Sequence, residues 1–328
     1  MVRVGETTRI GPVTGAGSPS ETGERYNIVA TDLGIPWDAG DGRVFVAFGD
    51  TYGEGWGGNG PGPGDADWRC NVLAWSFARD LAAGMTLDGV VARPDGSAAQ
   101  VLPKGSGQEI TVIPNSGVTV SGVHYLHYMS VREWTRPGEW RTNHAGIAVS
   151  RDDGWTWEKP RAARWSNRWG DNRFQLGAFA VEDDRVYLLG TTNGRYGDAY
   201  LARTDPAALP DVRAFEYWTG SGWSGRARAA VAVASGPVGE MSLGFHRTLG
   251  RWLLMHLDEV RRGIVLRSAE RLTGPWTQGE VVVSGDEYPA IYGGFLHPWS
   301  LEGPDLYYLV SQWGPYNVFL TRTRLVLE

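Results

Sequence analysis

Two aspartates, Asp32 in ATDLG and Asp50 in FGDTYG, are the residues of this 328-residue chain best suited to acid–base chemistry. Asp50 closely follows an apolar run, Val44 to Phe48, which is typical of a buried strand. A carboxylate at the end of a core strand costs free energy unless it is paired or used. Glycosidic bonds are hydrolysed by carboxyl pairs, in which one protonates the leaving oxygen and the other activates water or attacks. The two residues are therefore a candidate catalytic pair.

The elements that carry these aspartates are expected to bring them together. Asp32 begins one predicted strand and Asp50 ends the next, with the turn DAGDG (38–42) between them. In a hairpin, the first strand begins at the edge where the second strand ends, so both side chains should meet at one rim. A separation of ~5 Å between the carboxyl groups would predict retention, and ~6.5–9.5 Å would predict inversion.

The strands of this hairpin belong to a unit that recurs five times, about every 65 residues. The copies are DGRVFVAFGDTYG (41–53), SGVHYLHYMSVRE (121–133), DDRVYLLGTTNGR (183–195), LGRWLLMHLDEV (249–260) and GPDLYYLVSQWGP (303–315). Three or four strands per copy, with almost no helical periodicity, predict an all-β fold: a five-bladed β-propeller. We expect one domain, 1–328, with blades at 26–95, 105–165, 172–230, 238–285 and 290–328. The last blade lacks an outer strand, which residues 2–12 are expected to supply, closing the ring.

Polar and aromatic residues stand near the ends of the inner strands, where a propeller binds its ligand. Glu240 is the most distinctive, because GPVGE (236–240) places a carboxylate at the start of an inner strand, as a third acid or a hydroxyl clamp. The glycine-rich loop 53–64 is expected to form a wall or lid, with Trp56 or Trp313 stacking on a sugar. The predicted substrate-binding residues are Trp56, Asn71, Tyr128, Gln175, Asn193, Glu240, Tyr292, His297, Gln312 and Trp313.

Several other chemistries find no support in the sequence. His124 and His127 are expected to face the same side of a strand, but no further His or Cys lies nearby to complete a zinc site. Cys70 is the only cysteine, which excludes a disulfide framework and a multi-cysteine metal site. There is no Gly-x-Ser-x-Gly elbow and no P-loop. We expect no cofactor, while His297 leaves open a central structural ion.

The amino-acid composition limits the classes of partner that this chain is expected to bind. The net charge of −6 and the pI near 5.6 give no electrostatic case for nucleic acid or an anionic membrane. No run of about 18 apolar residues indicates a membrane span. Abundant tryptophan (16) and glycine (46) suit a turn-rich β protein with some aromatic faces for sugar stacking. A polysaccharide substrate and a monomer are expected, and an extracellular or envelope setting is favoured, although this numbering contains no signal peptide.

One further motif supports a propeller. SRDDGWTW, Ser150 to Trp157, fits the Ser-x-Asp-x-Gly-x-Thr-Trp pattern of the Asp-box. Its Asp and Thr side chains are expected to hydrogen-bond a tight hairpin while the Trp packs into the blade, which is a structural role.

Long motifs along the chain carry a family resemblance. They are GDTYG (49–53), WRCNVLAWS (68–76), YLHYMSVREW (125–134), NHAGIAVSRDDGWTW (143–157), TNGRYGDAYLAR (192–203), GPVGEMSL (236–243), YGGFLHPWS (292–300) and SQWGPYNVFL (311–320). Over residues 25–328 the chain resembles glycoside hydrolase family 183, the bacterial endo-D-arabinanases formerly described as a domain of unknown function. The resemblance implies a five-bladed propeller that cleaves internal α-1,5 links in the D-arabinan of mycobacterial arabinogalactan and lipoarabinomannan, with inversion. It also implies that Asp32 and Asp50 are the catalytic carboxylates. Cys70 departs from the small polar residue expected at its position.

The acid–base order and two rival functions stay open at this point. Asp32 is favoured as base, as first-strand aspartates are in similar five-bladed glycosidases. Asp50, beside Phe48 and the Trp56 loop, is favoured as an acid whose pKa is raised by desolvation. The rivals are another propeller glycosidase, acting on L-arabinan, fructan or sialic acid, and a non-catalytic glycan-binding propeller. A sialidase needs three convergent arginines, and only Arg195 stands at a channel end.

Overall fold

A computed structural model describes residues 2–105 and 107–326. Nearly all of its regular structure is β, in five antiparallel sheets that form the blades of a propeller, as predicted. The predicted outermost bounds of the domain, residue 1 and residues 327–328, lie outside the described residues.

Each blade is a short run of consecutive strands. Blade 1 holds β2 (Ala30–Asp38), β3 (Val44–Tyr52), β4 (Trp68–Arg69), β5 (Val72–Ser76) and β6 (Gly89–Val90). Blade 2 holds β7 (Thr111–Val120), β8 (Val123–Trp134), β9 (Trp140–Ser150) and β10 (Arg164–Ser166). Blade 3 holds β11 (Leu176–Glu182), β12 (Arg185–Thr191), β13 (Ala199–Thr204), β14 (Glu216–Trp218), β15 (Trp223–Ser224) and β16 (Ala232–Ala234). Blade 4 holds β17 (Met241–His246), β18 (Arg251–Asp258), β19 (Gly263–Ala269) and β20 (Glu280–Ser284).

Blade 5 closes the ring with the first strand of the chain. It holds β21 (Ile291–Leu296), β22 (Asp305–Gln312), β23 (Asn317–Val326) and β1 (Arg3–Pro12). β1 pairs antiparallel with β23, from Arg3 opposite Val326 to Pro12 opposite Phe319. The predicted closure by the N-terminal segment is therefore confirmed. It covers an edge strand that would otherwise expose unpaired backbone groups.

The first strands of the blades, β2, β7, β11, β17 and β21, form the inner ring. Each of them contacts the first strands of both neighbouring blades. All five therefore surround one central axis, and the ends of these strands and of their hairpin partners surround the mouth of the channel.

Helix is confined to short segments. They are the helix α1 (Thr22–Tyr26) and the 3₁₀ turns Leu81–Ala83, Arg161–Ala163, Pro206–Ala208, Val212–Ala214, Ala227–Ala229 and Pro298–Ser300. No helix within the described ranges is long and apolar enough to cross a membrane.

The core lies between the blades, where neighbouring sheets pack face to face. Trp37 of blade 1, for example, packs edge-on against Phe45, which in turn packs against His124 of blade 2. Burying one such large apolar side chain contributes about 1.5–3 kcal/mol.

The hairpin from Ser150 to Trp157 is held by its own side chains. Asp152 accepts hydrogen bonds from the Ser150 hydroxyl and from both the amide and the hydroxyl of Thr156. The Trp157 indole is 9% exposed and donates to the Gly154 carbonyl. These bonds all lie within the turn, and they account for the Asp152 and Thr156 side chains without a catalytic role.

Candidate active site

A bulge in β2 places Asp32 opposite the end of β3. Thr31 pairs with Thr51, but the next pair is Leu33 with Phe48, so Asp32 stands alone opposite two residues of β3, one of them Asp50. Leu33 has φ 66°, a left-handed conformation that costs a side-chain-bearing residue free energy. Bulges and strained residues of this kind re-aim side chains beside functional sites. Both carboxylates consequently line one cavity, as the hairpin geometry predicted.

Gly49 is part of this arrangement. A Cβ atom built on Gly49 would lie 2.3 Å from Asp32 Oδ1 and 3.1 Å from a methyl carbon of Leu33. Any larger residue would therefore push the Asp32 carboxyl group out of its place. Gly49, the first glycine of GDTYG, is therefore required because the Asp32 side chain approaches its backbone closely.

One carboxyl oxygen of Asp32 accepts two hydrogen bonds, whereas the other accepts none from the described residues. The hydroxyls of Tyr292 and Tyr316 donate to Oδ2 at 3.0 and 3.2 Å. Oδ1 is buried and has no hydrogen-bond partner among the described residues. Desolvation, followed by repulsion from Asp50, raises the pKa of Asp32 to about 8, and the two tyrosine hydroxyls only partly oppose this. Asp32 therefore carries a proton at pH 7.

Asp50 accepts hydrogen bonds from residues of blades 1 and 2, whereas the donors to Asp32 lie on blade 5. Its Oδ1 accepts hydrogen bonds from the Trp68 indole at 3.0 Å and the Thr111 hydroxyl at 2.8 Å. Desolvation raises its pKa to about 6, while these two donors and the charge of Lys104 act in the opposite direction. Lys104 lies with its Nζ 4.6 Å from the centre of the Trp68 ring. At pH 7 Asp50 is therefore mostly ionised, beside a protonated Asp32.

All five blades contribute to the cavity, which has a volume of about 860 Å³. Around the two aspartates its walls are largely apolar and aromatic. They include Tyr52, Trp68, Ile110, Trp134, Trp140, Leu176, Tyr292, Phe295, Trp313 and Tyr316. Such a volume, with few convergent polar groups in an apolar wall, suits a small-molecule or oligomeric ligand.

Arg195 and two glutamates, Glu240 and Glu259, form a cluster of charges that faces the same cavity as the aspartates. Arg195 donates to both oxygens of Glu240, with its closest contact at 2.8 Å, and to Glu259 at 2.9 Å. The guanidinium carbon also lies 5.3 Å from the centre of the Tyr292 ring. Glu240 is thus committed to an ion pair, and Arg195 packs on the tyrosine that donates to Asp32.

Of the predicted substrate-binding residues, Glu240, Tyr292 and Trp313 line the cavity with the two aspartates. Trp313 is 48% exposed at its rim, which leaves a face free for a ligand. Asn193 lies instead in a neighbouring depression of about 650 Å³, here called the outer groove. The outer groove lies between residues 135–141 and 192–197 and shares four lining residues with the cavity, Thr135, Arg136, Glu139 and Trp140.

Four predicted binding residues are buried structural groups instead. Asn71 is 1% exposed; its amide donates to the carbonyls of Leu102 and Val112 and accepts from two further amides, so it ties blade 1 to blade 2. Gln175 is fully buried between Thr142 and the carbonyl of Trp165. Tyr128 and His297 are likewise fully buried and do not line the cavity. A substrate cannot reach them.

Two more predicted residues lie beside the cavity but do not line it. Trp56 donates to the Gly60 carbonyl and packs against the cluster that contains Tyr52, while Pro61 of the same loop reaches the cavity. Gln312 bonds Arg9 and the carbonyl of Pro289. The glycine-rich loop does form part of the wall, through a different residue from the one expected.

The expected common orientation of His124 and His127 is wrong. The spacing of three along a strand puts them on opposite faces. His124 packs on Phe45, and His127 packs on Phe179. In the described ranges no group of three or more His, Cys, Asp or Glu side chains could hold a metal ion.

Several cavity residues were not selected from the sequence. Tyr316, Thr111 and Trp68 bond the aspartates, yet they come from other strands and blades. Glu259 directly follows Asp258, the last residue of β18, and was not selected either. Only Asp258 caps, by accepting from the amides of residues 260 and 261, whereas Glu259 pairs with Arg195. The sequence did contain one signal for Glu259, because it lies next to the end of the second strand of its blade, as Asp50 does.

Comparison with known proteins gives a family match and distant relatives. The family described as "Domain of unknown function (DUF4185)" matches residues 17–322. "Notoamide biosynthesis cluster protein J" of Aspergillus sp. (strain MF297-2) is 31% identical over 331 residues, covering 90% of this chain and 83% of that protein.

Solved structures with the same fold include two glycoside hydrolases. An α-L-arabinofuranosidase from Podospora anserina, solved in complex with cellotriose, aligns with a TM-score of 0.55 at 12% identity over 99% of this chain and 98% of its own. A family 117 glycoside hydrolase of Zobellia galactanivorans aligns with a TM-score of 0.56 at 13% identity over 99% and 90%. At these identities the likeness shows a shared fold.

Proposed function

This chain belongs to the DUF4185 family, and we propose that it is a glycoside hydrolase in which Asp32 and Asp50 are the catalytic carboxyl groups. The observation that carries the proposal is the pair itself: two carboxyl groups with raised pKa values, one protonated and one mostly ionised at pH 7, in one cavity. Pairs of titratable groups whose environments separate their pKa values typically mark an acid and a base. The fold shared with solved glycoside hydrolases supports the proposal.

The protonation of the pair suggests the roles. Asp32 donates its proton to the leaving glycosidic oxygen, and the carboxylate that results is stabilised by the hydroxyls of Tyr292 and Tyr316. Asp50 accepts a proton from the attacking water; its Oδ2 makes no hydrogen bond to the described residues. This order reverses the one favoured from the sequence, because repulsion from Asp50 adds to the desolvation of Asp32.

The charges of the cavity favour a neutral glycan. Its two arginines are both paired, Arg195 with Glu240 and Glu259, and Arg136 with Glu139 at 2.9 Å. An anionic sugar would meet unpaired Asp50 and no free arginine in this wall. A sialidase is therefore the weakest of the candidate glycosidases.

For the substrate we propose internal α-1,5-linked D-arabinofuranosyl chains, as in mycobacterial arabinogalactan and lipoarabinomannan, cleaved with inversion. The motif resemblance to the endo-D-arabinanases supports this, and so does the fold shared with an α-L-arabinofuranosidase. The open cavity mouth, with Trp134 and Trp313 about half exposed on blades 2 and 5, suits a chain that passes through the site.

The test is a panel of glycans incubated with the purified protein: mycobacterial arabinogalactan, L-arabinan, levan and sialyllactose. Release of oligosaccharides from arabinogalactan alone is the expected result, and proton NMR of the nascent reducing ends should show inverted configuration. Cleavage of L-arabinan or levan instead would favour another propeller glycosidase. Binding to the polymer without any release would favour a glycan-binding propeller.

A further inference from the structure

The outer groove is a second built depression on the face that carries the active-site cavity. One of its sides is the β8–β9 hairpin, residues 135–141, and the other is the loop 192–197. The backbone amide of Arg195 donates to the carbonyl of Gly138 at 3.0 Å, so hairpin and loop are joined. The hairpin residues Thr135, Arg136, Glu139 and Trp140 line both spaces. The hairpin is thus a shared wall, and a chain leaving the cavity over it would enter the groove.

The side chains of the groove suit a neutral, hydroxyl-rich ligand. Tyr196 is 52% exposed, with one edge against the hairpin at Gly138, so it offers an aromatic face to a ligand. Asn193 Oδ1 accepts from Thr142, which leaves its amide nitrogen available as a donor.

The charges of the groove are balanced. Arg136 pairs with Glu139 at 2.9 Å within the groove, and Arg141 pairs at 3.1 Å with Glu133, a β8 residue that does not line the groove. These exposed pairs present both donors and acceptors without a net charge that would select an anion. Balanced charge, amide and hydroxyl groups, and one aromatic face are the features with which proteins contact neutral sugars.

We infer that the outer groove is a second carbohydrate site, which holds glycan residues several units away from the bond that is cleaved. The inference rests on the proposed function and deepens it, because such a site makes the protein select a polymer over a short oligosaccharide. The occupant is the neutral glycan chain that also fills the cavity. Simultaneous contact at two linked sites raises the effective affinity for long chains only.

The experiment compares Tyr196→Ala and Arg141→Ala with Phe77→Ala. Phe77 is also 52% exposed but lies on blade 1, outside both the cavity and the groove. In an Asp32→Asn background, which prevents cleavage, affinity electrophoresis through gels containing arabinogalactan should show at least a five-fold higher Kd for Tyr196→Ala. Arg141→Ala should weaken retardation in the same direction, and Phe77→Ala should match its parent.

A kinetic arm uses the active protein. The ratio of kcat/KM on arabinogalactan to kcat/KM on an α-1,5-D-arabinofuranosyl tetrasaccharide should fall at least five-fold in Tyr196→Ala and stay at the wild-type value in Phe77→Ala. Equal losses on both substrates, or unchanged retardation, would overturn the inference. If the wild type cleaves neither substrate, the proposed function fails, and the electrophoresis alone decides on the groove: weaker retardation of Tyr196→Ala supports it, and identical retardation, or none for the parent, overturns it.

Discussion

Replacing Asp32 with asparagine should make the protein progressively more stable than the wild type as the pH rises from 5 to 7. The pKa of Asp32 is raised from 3.8 to about 8 in the folded protein, chiefly by desolvation and then by Asp50. Over this range the unfolded chain has released the Asp32 proton and the folded protein retains it. Raising the pH therefore favours unfolding of the wild type, while asparagine has no proton to lose.

The size of the expected stability difference follows from the single proton that the folded wild type retains at Asp32 and the unfolded chain releases. A difference of one bound proton changes the free energy of unfolding by about 1.4 kcal/mol per pH unit, or about 3 kcal/mol between pH 5 and 7. Since Asp32 is neutral over this range, its replacement does not change the charge that Asp50 experiences. All other titrating groups are shared by the two proteins, so their contributions cancel.

Urea unfolding at pH 5, 6 and 7, followed by the fluorescence of the 16 tryptophans, measures this difference. Asp95→Asn is the matched control, because a hydrogen bond from Ser97 lowers the pKa of Asp95. Folded and unfolded forms are then both ionised from pH 5 to 7, and the difference from wild type should be constant. A pH-independent difference for Asp32→Asn, or a wild type that gains on the variant as the pH rises, would refute the reasoning.

Three further outcomes are expected. Gly49→Ala should lower kcat by ~10²-fold or more, because the new Cβ displaces Asp32. The control Gly57→Ala should retain wild-type kcat, because its Cβ would meet nothing closer than 3.8 Å. Equal kcat values for the two variants would contradict this expectation. Tyr292→Phe removes a hydrogen bond that stabilises the Asp32 carboxylate. The alkaline limb of the pH profile of kcat/KM, expected near pH 8, should therefore move up by about 0.5–1 pH unit. A downward shift would count against Asp32 as the general acid. On a 4-nitrophenyl oligosaccharide, whose leaving group needs no acid, Asp32→Asn should keep far more of its activity than Asp50→Asn, and the opposite order would exchange the two roles.

Local repetition in the sequence was sufficient to predict the propeller. The five aromatic strand copies and the incomplete last blade imply that the first and last strands pair, and β1 pairs with β23. The order of two adjacent strands was also sufficient to predict that Asp32 and Asp50 meet, and both line one cavity.

The remaining features of the site depend on contacts that strand order does not specify. Asn71 stands near a strand end like Asp50, but its amide is buried and donates to the carbonyls of Leu102 and of Val112 in β7. Tyr316 comes to Asp32 from the other end of the chain, because blade 5 is the neighbour of blade 1. The bulge at Asp32 and the positive φ of Leu33 are likewise not specified by strand order.

The catalytic pair itself is tested most directly by oligosaccharide release from purified mycobacterial arabinogalactan by the wild type, Asp32→Asn and Asp50→Asn. Both variants keep the shape of the side chain and remove its ability to exchange a proton. We predict steady release by the wild type and at least ~10³-fold slower release by each variant, with circular dichroism spectra that match the wild type. Wild-type rates of release by either variant would contradict the assignment of Asp32 and Asp50 as the catalytic groups.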